Sequence, residues 1–390
     1  MLVGAGDPAH HQHHRHDQRG HPLQQDDQAG TANGGRGGGR RHSVSVATTP
    51  VGLLLAPRCG AHRRTARFDR GTPPHAALRR ASSHRISSWL MRAVLIVNPT
   101  ATSTTAAGRD LLAHALKSRL QLAVEHTNHR GHGTELAQKA LADGVDLVVV
   151  HGGDGTVSGV VNGLLGRPGS LPTGPVPAVA VVPGGSANVL ARSLGISRDP
   201  VAATNQLIQL LDDYQRHHTW RRIGLIDCGE RWAVFNTGMG VDAEVVAAVE
   251  AERDKGGKVT AWRYIRAAVP AVWGYTRREP MLTLELPGRE PITGVSFAFV
   301  SNSSPWTFAN ERPVWTNPGC SFESGLGVFA PTTLKPIPTL RIVRQMFAKR
   351  PAFDFKQLIT EDDLPCLRVT STGGPVACQF DGDYLACAKP

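Results

Sequence analysis

The sequence predicts a doubly wound α/β layer over residues 91–218, followed by a mainly antiparallel β region over residues 219–390. Three observations predict it. Continuous apolar runs such as Ala93-Val94-Leu95-Ile96-Val97 and Val148-Val149-Val150 alternate with helical patterns, as parallel strands buried on both faces do. Loops of Gly, Asn, Ser and Thr follow those runs, at the strand ends where such sheets bind ligands. Beyond about residue 218, short apolar segments recur between turn residues such as Gly288, Pro318-Gly319 and Gly373-Gly374.

In chain order, the first strand is Ala93–Val97, ending at Asn98-Pro99-Thr100. A helix over Ala106–Leu120 carries Leu112, Ala115, Leu116 and Leu120 on one face. A weak strand at Gln121–Glu125 and a helix at Gly133–Ala142 lead to the strand Asp146–Val150. Helix Val157–Leu165, strand Ala178–Val182 and helices Val189–Leu194 and Pro200–Leu211 complete the alternation. The second region reads as strands at Arg222–Cys228, Trp232–Thr237, Met281–Leu286, Gly294–Ser301, Leu326–Pro331, Cys366–Thr370 and Val376–Phe380. Helical insertions are expected near Ala243–Glu252, Lys258–Thr276 and Pro338–Ala348, and no internal repeat is visible.

Residues 1–90 have a different texture. They hold 13 arginines, no lysine and five aspartates, so +8 of the net +11 resides there and +3 in the other 300 residues. The high isoelectric point is therefore no sign that the folded part binds nucleic acid. His10-His11-Gln12-His13-His14 and Gly34-Gly35-Arg36-Gly37-Gly38-Gly39-Arg40-Arg41 show no helical or strand period, and disorder is expected. An Arg/Gly-rich nucleic-acid arm is one reading of this tail and adventitious metal binding by its histidines a second; against both stands the reading that translation starts at Met91, just before the first strand. Six cysteines lie far apart without a C-x-x-C pair, which favours reduced thiols in a cytoplasmic protein. No apolar run reaches the ~18–20 residues that span a bilayer, so a soluble protein is expected.

The chemistry is concentrated in three loops. In Gly152-Gly153-Asp154-Gly155-Thr156, glycines let backbone amides approach an anion, and the following helix N-terminus adds partial positive charge. A carboxylate at Asp154 beside phosphates is repulsive unless a cation lies between them, which suggests a nucleoside triphosphate with Mg2+. A plain strand-to-helix turn would look similar. Asn98-Pro99-Thr100 and Pro183-Gly184-Gly185-Ser186-Ala187-Asn188 belong to the same edge.

Four motifs in order, V-N-P-T, G-G-D-G-T-V, P-G-G-S-A-N-V-L-A-R and the late F-D-G-D-Y-L, make residues 91–386 resemble the diacylglycerol kinase catalytic domain family, which includes sphingosine kinases and bacterial lipid kinases. The resemblance implies a Rossmann-like ATP-binding α/β domain and a β-sandwich lipid-substrate domain, with the last strand's acidic turn returning to the cleft between them. It further implies ATP contacts from Asn98, Pro99, Thr100, Ala101 and Thr102, from Gly152, Gly153, Asp154, Gly155, Thr156, Val157 and Ser158, and from Thr127, Gly185, Ser186 and Asn188. Asp154 becomes the holder of Mg2+ or its bound water. Asp383 takes the place where the family usually has Glu as proton acceptor, one methylene shorter, with Asp381 orienting the turn. A surface β-turn is the plainer reading of Asp381-Gly382-Asp383.

Other positions carry weaker signals. Asp242 is either a lipid head-group contact, as the resemblance suggests, or a helix N-cap, and Asn302 reads as structural. Val189 follows Asn188 where diacylglycerol kinases usually have Asp, which leans towards sphingoid or other acceptors. Some bacterial members hold structural Mg2+ in an acidic segment, but Phe322-Glu323-Ser324-Gly325-Leu326 lacks paired acids and that site is not carried over. Lys258–Arg278, with Trp262 and Trp273 among arginines, fits an interfacial helix at the inner membrane face or a core-facing one kinked at Pro270. The leading expectation is an ATP-dependent kinase of a lipid with a free hydroxyl, cytoplasmic and peripheral at the membrane. An NAD kinase-like enzyme, which would share G-G-D-G-T, and a non-catalytic nucleotide- or lipid-binding relative remain as alternatives.

Overall fold

The computed structural model describes residues 42–54, 90–240, 243, 281–372 and 376–386. Its first strand, β1 (His42–Leu54), lies inside the stretch expected to be disordered. The alternation Ser43-Val44-Ser45-Val46 supplies a two-residue period, and Val46 is buried, so this segment is an ordered part of the fold. The remainder of residues 1–90, apart from Leu90, lies outside the described residues.

The α/β layer has the expected form. Strands β2 (Met91–Val97), β3 (Leu120–His126), β4 (Leu147–Gly152) and β5 (Ala178–Pro183) are parallel in the order β3-β2-β4-β5. Leu95, Ile96, Val97 and the whole run Leu147–Val150 are completely buried, which is why these strands read as unbroken apolar sequence. Helices α1 (Ala106–Lys117), α2 (His132–Ala142), α3 (Asp154–Leu165), α4 (Val189–Ser193) and α5 (Pro200–His217) fill the connections. Two of them start on side-chain caps: Thr105 Oγ1 accepts from Gly108 N–H, and Asp199 accepts from Ala202 N–H with Pro200 opening α5.

The antiparallel part is a two-layer sandwich. One layer continues from β5 through β1 to β16 (Cys366–Ser371), β9 (Leu282–Glu285) and β10 (Ile292–Val295), with β6 (Arg221–Asp227) paired to β1 and β7 (Trp232–Ala233) paired to β6. The other has the order β15-β14-β11-β8-β17-β18, formed by β8 (Asn236–Met239), β11 (Ala298–Ser301), β14 (Leu326–Pro331), β15 (Leu358–Leu364), β17 (Ala377–Phe380) and β18 (Asp383–Ala386). Val46, Ile226, Leu284, Val300, Val328 and Val369 fill the space between them, each side chain contributing about 1.5–3 kcal/mol when fully buried. A short hairpin, β12 (Thr307–Ala309) and β13 (Arg312–Val314), stands apart. Helix α6 (Pro336–Met346) packs through Ile342 on Phe299, Phe329 and Leu358.

Three sequence expectations change. Trp232–Thr237 is not one strand: β7 and β8 belong to different layers, and Val234 and Phe235 between them turn their N–H groups to Asp381. The segment Gly294–Ser301 is not one strand: β10 and β11 belong to different layers, with Ser296-Phe297 at the crossing. Cys378 is disulfide-bonded to a partner outside the described residues, so the thiols are not all reduced, whereas Cys228, Cys320 and Cys366 are free. Burial pushes the Cys320 thiol up to about 12.

Candidate active site

The strand ends of β2, β4 and β5 bring the three small-residue loops together. Asn98 N–H donates to His151 O at 2.9 Å, Asn98 Nδ2 donates to Thr156 Oγ1 at 3.0 Å, and Asn98 Oδ1 accepts from the Thr100 N–H and hydroxyl. Asn98 thus shapes its loop and ties it to the first turn of α3. Gly184 N–H donates to Gly152 O at 2.8 Å, and Ser103 N–H donates to Gly184 O at 2.8 Å. A Cβ on Gly185 would lie 2.6 Å from Gly153 Cα, so only backbone without side chains permits this approach.

Asp154 is the first residue of α3, and its Oδ1 accepts Leu190 N–H at 3.2 Å from the start of α4. Burial raises its pKa to about 6, against the lowering effect of the Val189, Leu190 and Asn188 amides, with Asp381 nearby adding to the rise. A half-buried carboxylate at the mouth of the glycine loop is of the type that, with phosphate oxygens and water, holds one divalent cation. His151 at the end of β4 is buried and holds Val182 O through Nδ1 at 3.2 Å; burial lowers its pKa, which keeps it a neutral structural link.

The turn Asp381-Gly382 has positive φ at both residues, 53° and 81°, and joins β17 to β18 as a two-residue hairpin loop. Asp381 is buried and accepts Val234, Phe235 and Asn236 N–H groups together with the Ser158 hydroxyl at 2.7 Å. Burial nevertheless pushes its pKa up, with those donors offsetting part of the rise. The turn presents Asp383 above the first turn of α3: a Cβ on Gly155 would sit 3.5 Å from Asp383 Oδ1. Arg130 Nη2 lies 3.6 Å from Asp383 Oδ1, and Arg231 Nη2 lies 3.8 Å from Asp383 Oδ2. Arg231 also has its guanidinium 5.5 Å from the Phe380 ring.

Of the expected contacts, Pro99, Thr100, Thr102, Gly155 and Ser186 are exposed at this edge, with Ala101, Thr127, Gly153, Asp154 and Thr156 half-buried beside them. Three others are committed elsewhere. Val157 and Ser158 are buried because α3 begins at Asp154, which turns the fourth and fifth helical residues inward. The Ser158 hydroxyl is spent on Asp381. Asn188, at φ 49°, accepts Gly185 N–H at 2.9 Å and donates to Gly185 O at 2.7 Å, so it holds its loop closed. Asn302 is structural, donating to Gly224 O and Val234 O. Asp242 and Lys258–Arg278 lie outside the described residues. The sequence reading missed Arg130 and Arg231, which belong to no motif and meet Asp383 only through the fold.

His129, His132 and Glu135, beside Arg130, place ligand atoms within 4.8 Å of one another. His132 Nδ1, however, accepts Asn128 N–H, which leaves Nε2 protonated in the neutral ring.

The sequence profile of the diacylglycerol kinase catalytic domain matches residues 92–213. That match takes in less than a third of the chain and is a likeness of this segment to the family. The chain is 35% identical over 120 residues to a diacylglycerol kinase of Bacillus subtilis, and 36% identical over 95 residues to a Chromohalobacter salexigens protein named "Probable lipid kinase YegS-like". These alignments take in 29% and 24% of this chain and 36% and 29% of the relatives' lengths. A crystal structure of a diacylglycerol kinase from Bacillus anthracis superposes on 76% of this chain and 90% of that one, with a TM-score of 0.52 and 18% identity, a likeness of fold. The diacylglycerol kinase match ends within α5, so the sandwich and Asp383 stand outside it.

Proposed function

We propose that the protein is an ATP-dependent lipid kinase that transfers the γ-phosphoryl group to a hydroxyl of diacylglycerol or a sphingoid-like lipid. The observation that carries this reading is the placement of Asp383 over the first turn of α3, where its carboxylate faces the glycine loop. The loop amides and the Thr100, Thr102 and Ser186 hydroxyls would bind the phosphates, assisted by the α3 N-terminus. Asp154 would hold Mg2+, which when bound neutralises phosphate charge. Asp383 would accept the lipid hydroxyl proton as the new O–P bond forms; the bond from γ-phosphorus to the β–γ bridging oxygen breaks, and ADP leaves with that electron pair. Such a positioned base contributes typically ~10²–10⁴-fold. Arg130 and Arg231, flanking Asp383, stand where they would also balance charge on the transferring group. Asp is one methylene shorter than the Glu that the resemblance implies, and the Ser158–Asp381 bond would hold the turn against α3.

Among the described residues no helix is long and apolar enough to cross a membrane. The proposed site of action is peripheral at the cytoplasmic membrane face, because a lipid acceptor would be met there. Incubation with [γ-³²P]ATP, Mg2+ and either extracted lipids or NAD tests the reading. Label in the organic phase supports it; label on NAD alone, or none, overturns it.

A further inference from the structure

Helix α6 has two opposed faces. Ile342 is buried on Phe299, Phe329 and Leu358, and Met346 packs beside it. At ~100° per residue, Ile337, Leu340, Val343 and Phe347 fall within about 120° of arc on the opposite side. They are 67%, 71%, 39% and 47% exposed, and among the described residues they make up four of the eight large hydrophobic side chains so exposed. The other four, Leu90, Leu111, Leu171 and Val201, are scattered over separate elements. An apolar stripe this concentrated marks a surface that something covers.

The charge around the stripe selects the partner. Lys335, Arg341, Arg344, Lys349 and Arg350 are all exposed, and residues 333–350 contain no Asp or Glu. Five cations without a compensating acid would repel a second copy of the same face, since a two-fold contact sets like against like. An anionic lipid surface satisfies both features, taking the apolar side chains into its interface and the cations at its headgroups. The end of α6 is also tied to the sandwich, because Trp315 N–H donates to Met346 O at 2.8 Å and the adjacent Thr316 Oγ1 lies 3.4 Å from Ser301 Oγ at the end of β11. A docked α6 would therefore fix the orientation of the layer that carries Asp383.

We propose that the outward face of α6, Ile337, Leu340, Val343 and Phe347 with Arg341 and Arg344, is the surface by which this protein docks on anionic phospholipid bilayers. The proposal rests on the lipid-kinase reading only for why a membrane is met. Its test needs no ATP. The full chain is sedimented with vesicles of phosphatidylcholine alone or with about 30% phosphatidylglycerol. Wild type is expected to bind the anionic vesicles, and Leu340→Asp/Phe347→Asp to bind about tenfold or more weakly at an unchanged melting temperature. Arg341→Glu/Arg344→Glu should also weaken binding and flatten its salt dependence.

Equal binding by wild type and Leu340→Asp/Phe347→Asp overturns the proposal, as does wild type that stays in the supernatant. So does a wild-type dimer that Leu340→Asp/Phe347→Asp dissolves while vesicle binding is unchanged, which would assign the face to a second copy. Vesicle binding as expected with no phosphorylated lipid would remove the kinase reading and leave the docking surface standing. Phosphorylation of detergent-dispersed lipid without vesicle binding would do the reverse.

Discussion

Ser158 in α3 donates to Asp381 at 2.7 Å across 223 residues of chain, and both side chains are buried. This bond fastens the glycine-loop helix to the hairpin that presents Asp383. Asp381→Ala would strand Val234, Phe235 and Asn236 N–H groups in the interior and is expected to cost roughly 3–5 kcal/mol. Ser158→Ala should cost less, about 1–3 kcal/mol. Because the Ser158 hydroxyl is buried and bonded to Asp381, its loss should displace the turn, lowering kcat and leaving the ATP KM nearly unchanged. Steady-state kinetics beside thermal denaturation check this; a raised ATP KM with normal kcat would return Ser158 to the nucleotide contacts.

The Asp154 carboxyl gives a pH dependence with a definite sign. Its folded pKa is raised by burial to about 6, so folding favours the protonated form. That contribution is complete below about pH 4 and is lost as pH rises through about 6. In the presence of chelator, the melting temperature of wild type should fall over this window relative to Asp154→Asn. Mg2+ with ATP should restore wild type and not the variant. Parallel pH curves for both proteins would contradict the assignment.

Gly185→Ala tests the close approach of the β4 and β5 loops. The new Cβ meets Gly153 backbone at 2.6 Å, and backbone cannot rotate away as a side-chain tip can. Overpacking of this kind costs typically about 1–3 kcal/mol, which on the binding-competent loop is roughly 10–100-fold in nucleotide affinity. Isothermal titration with ATP reads it directly, and unchanged affinity would mean that the loops separate freely.

Val46→Asp tests whether β1 is part of the sandwich. Val46 is 1% exposed among Ile226, Leu284 and Val369, so an unpaired carboxylate there should destabilise by about 3 kcal/mol or more. A silent substitution would show that the fold does not need this strand.

The legible parts of the molecule were those with an unbroken local signal. Buried parallel strands such as Leu147–Gly152 announce themselves because both faces are apolar, and the glycine loops because backbone approach excludes side chains. β15 was not visible, since its Glu361-Asp362-Asp363 segment turns polar groups to solvent and to loop amides of Gly319 and Gly325. β1 was hidden in Arg- and Gly-rich surroundings with only a short alternation to mark it. The helix start at Asp154 could not be read from Gly155, a poor helix former, so the sequence pattern placed it at Val157. Arg130 and Arg231 acquire meaning only from β17–β18 meeting α3, a long-range contact that no local pattern encodes.

The central claim is that Asp383 is the proton acceptor, and Asp383→Asn measured against wild type with lipid acceptor tests it most directly. The amide keeps the side chain's shape and its place on the hairpin but cannot take the proton. A fall in kcat of ~10²–10⁴-fold at nearly constant ATP KM is the expected result. A kcat within about threefold of wild type would contradict the account.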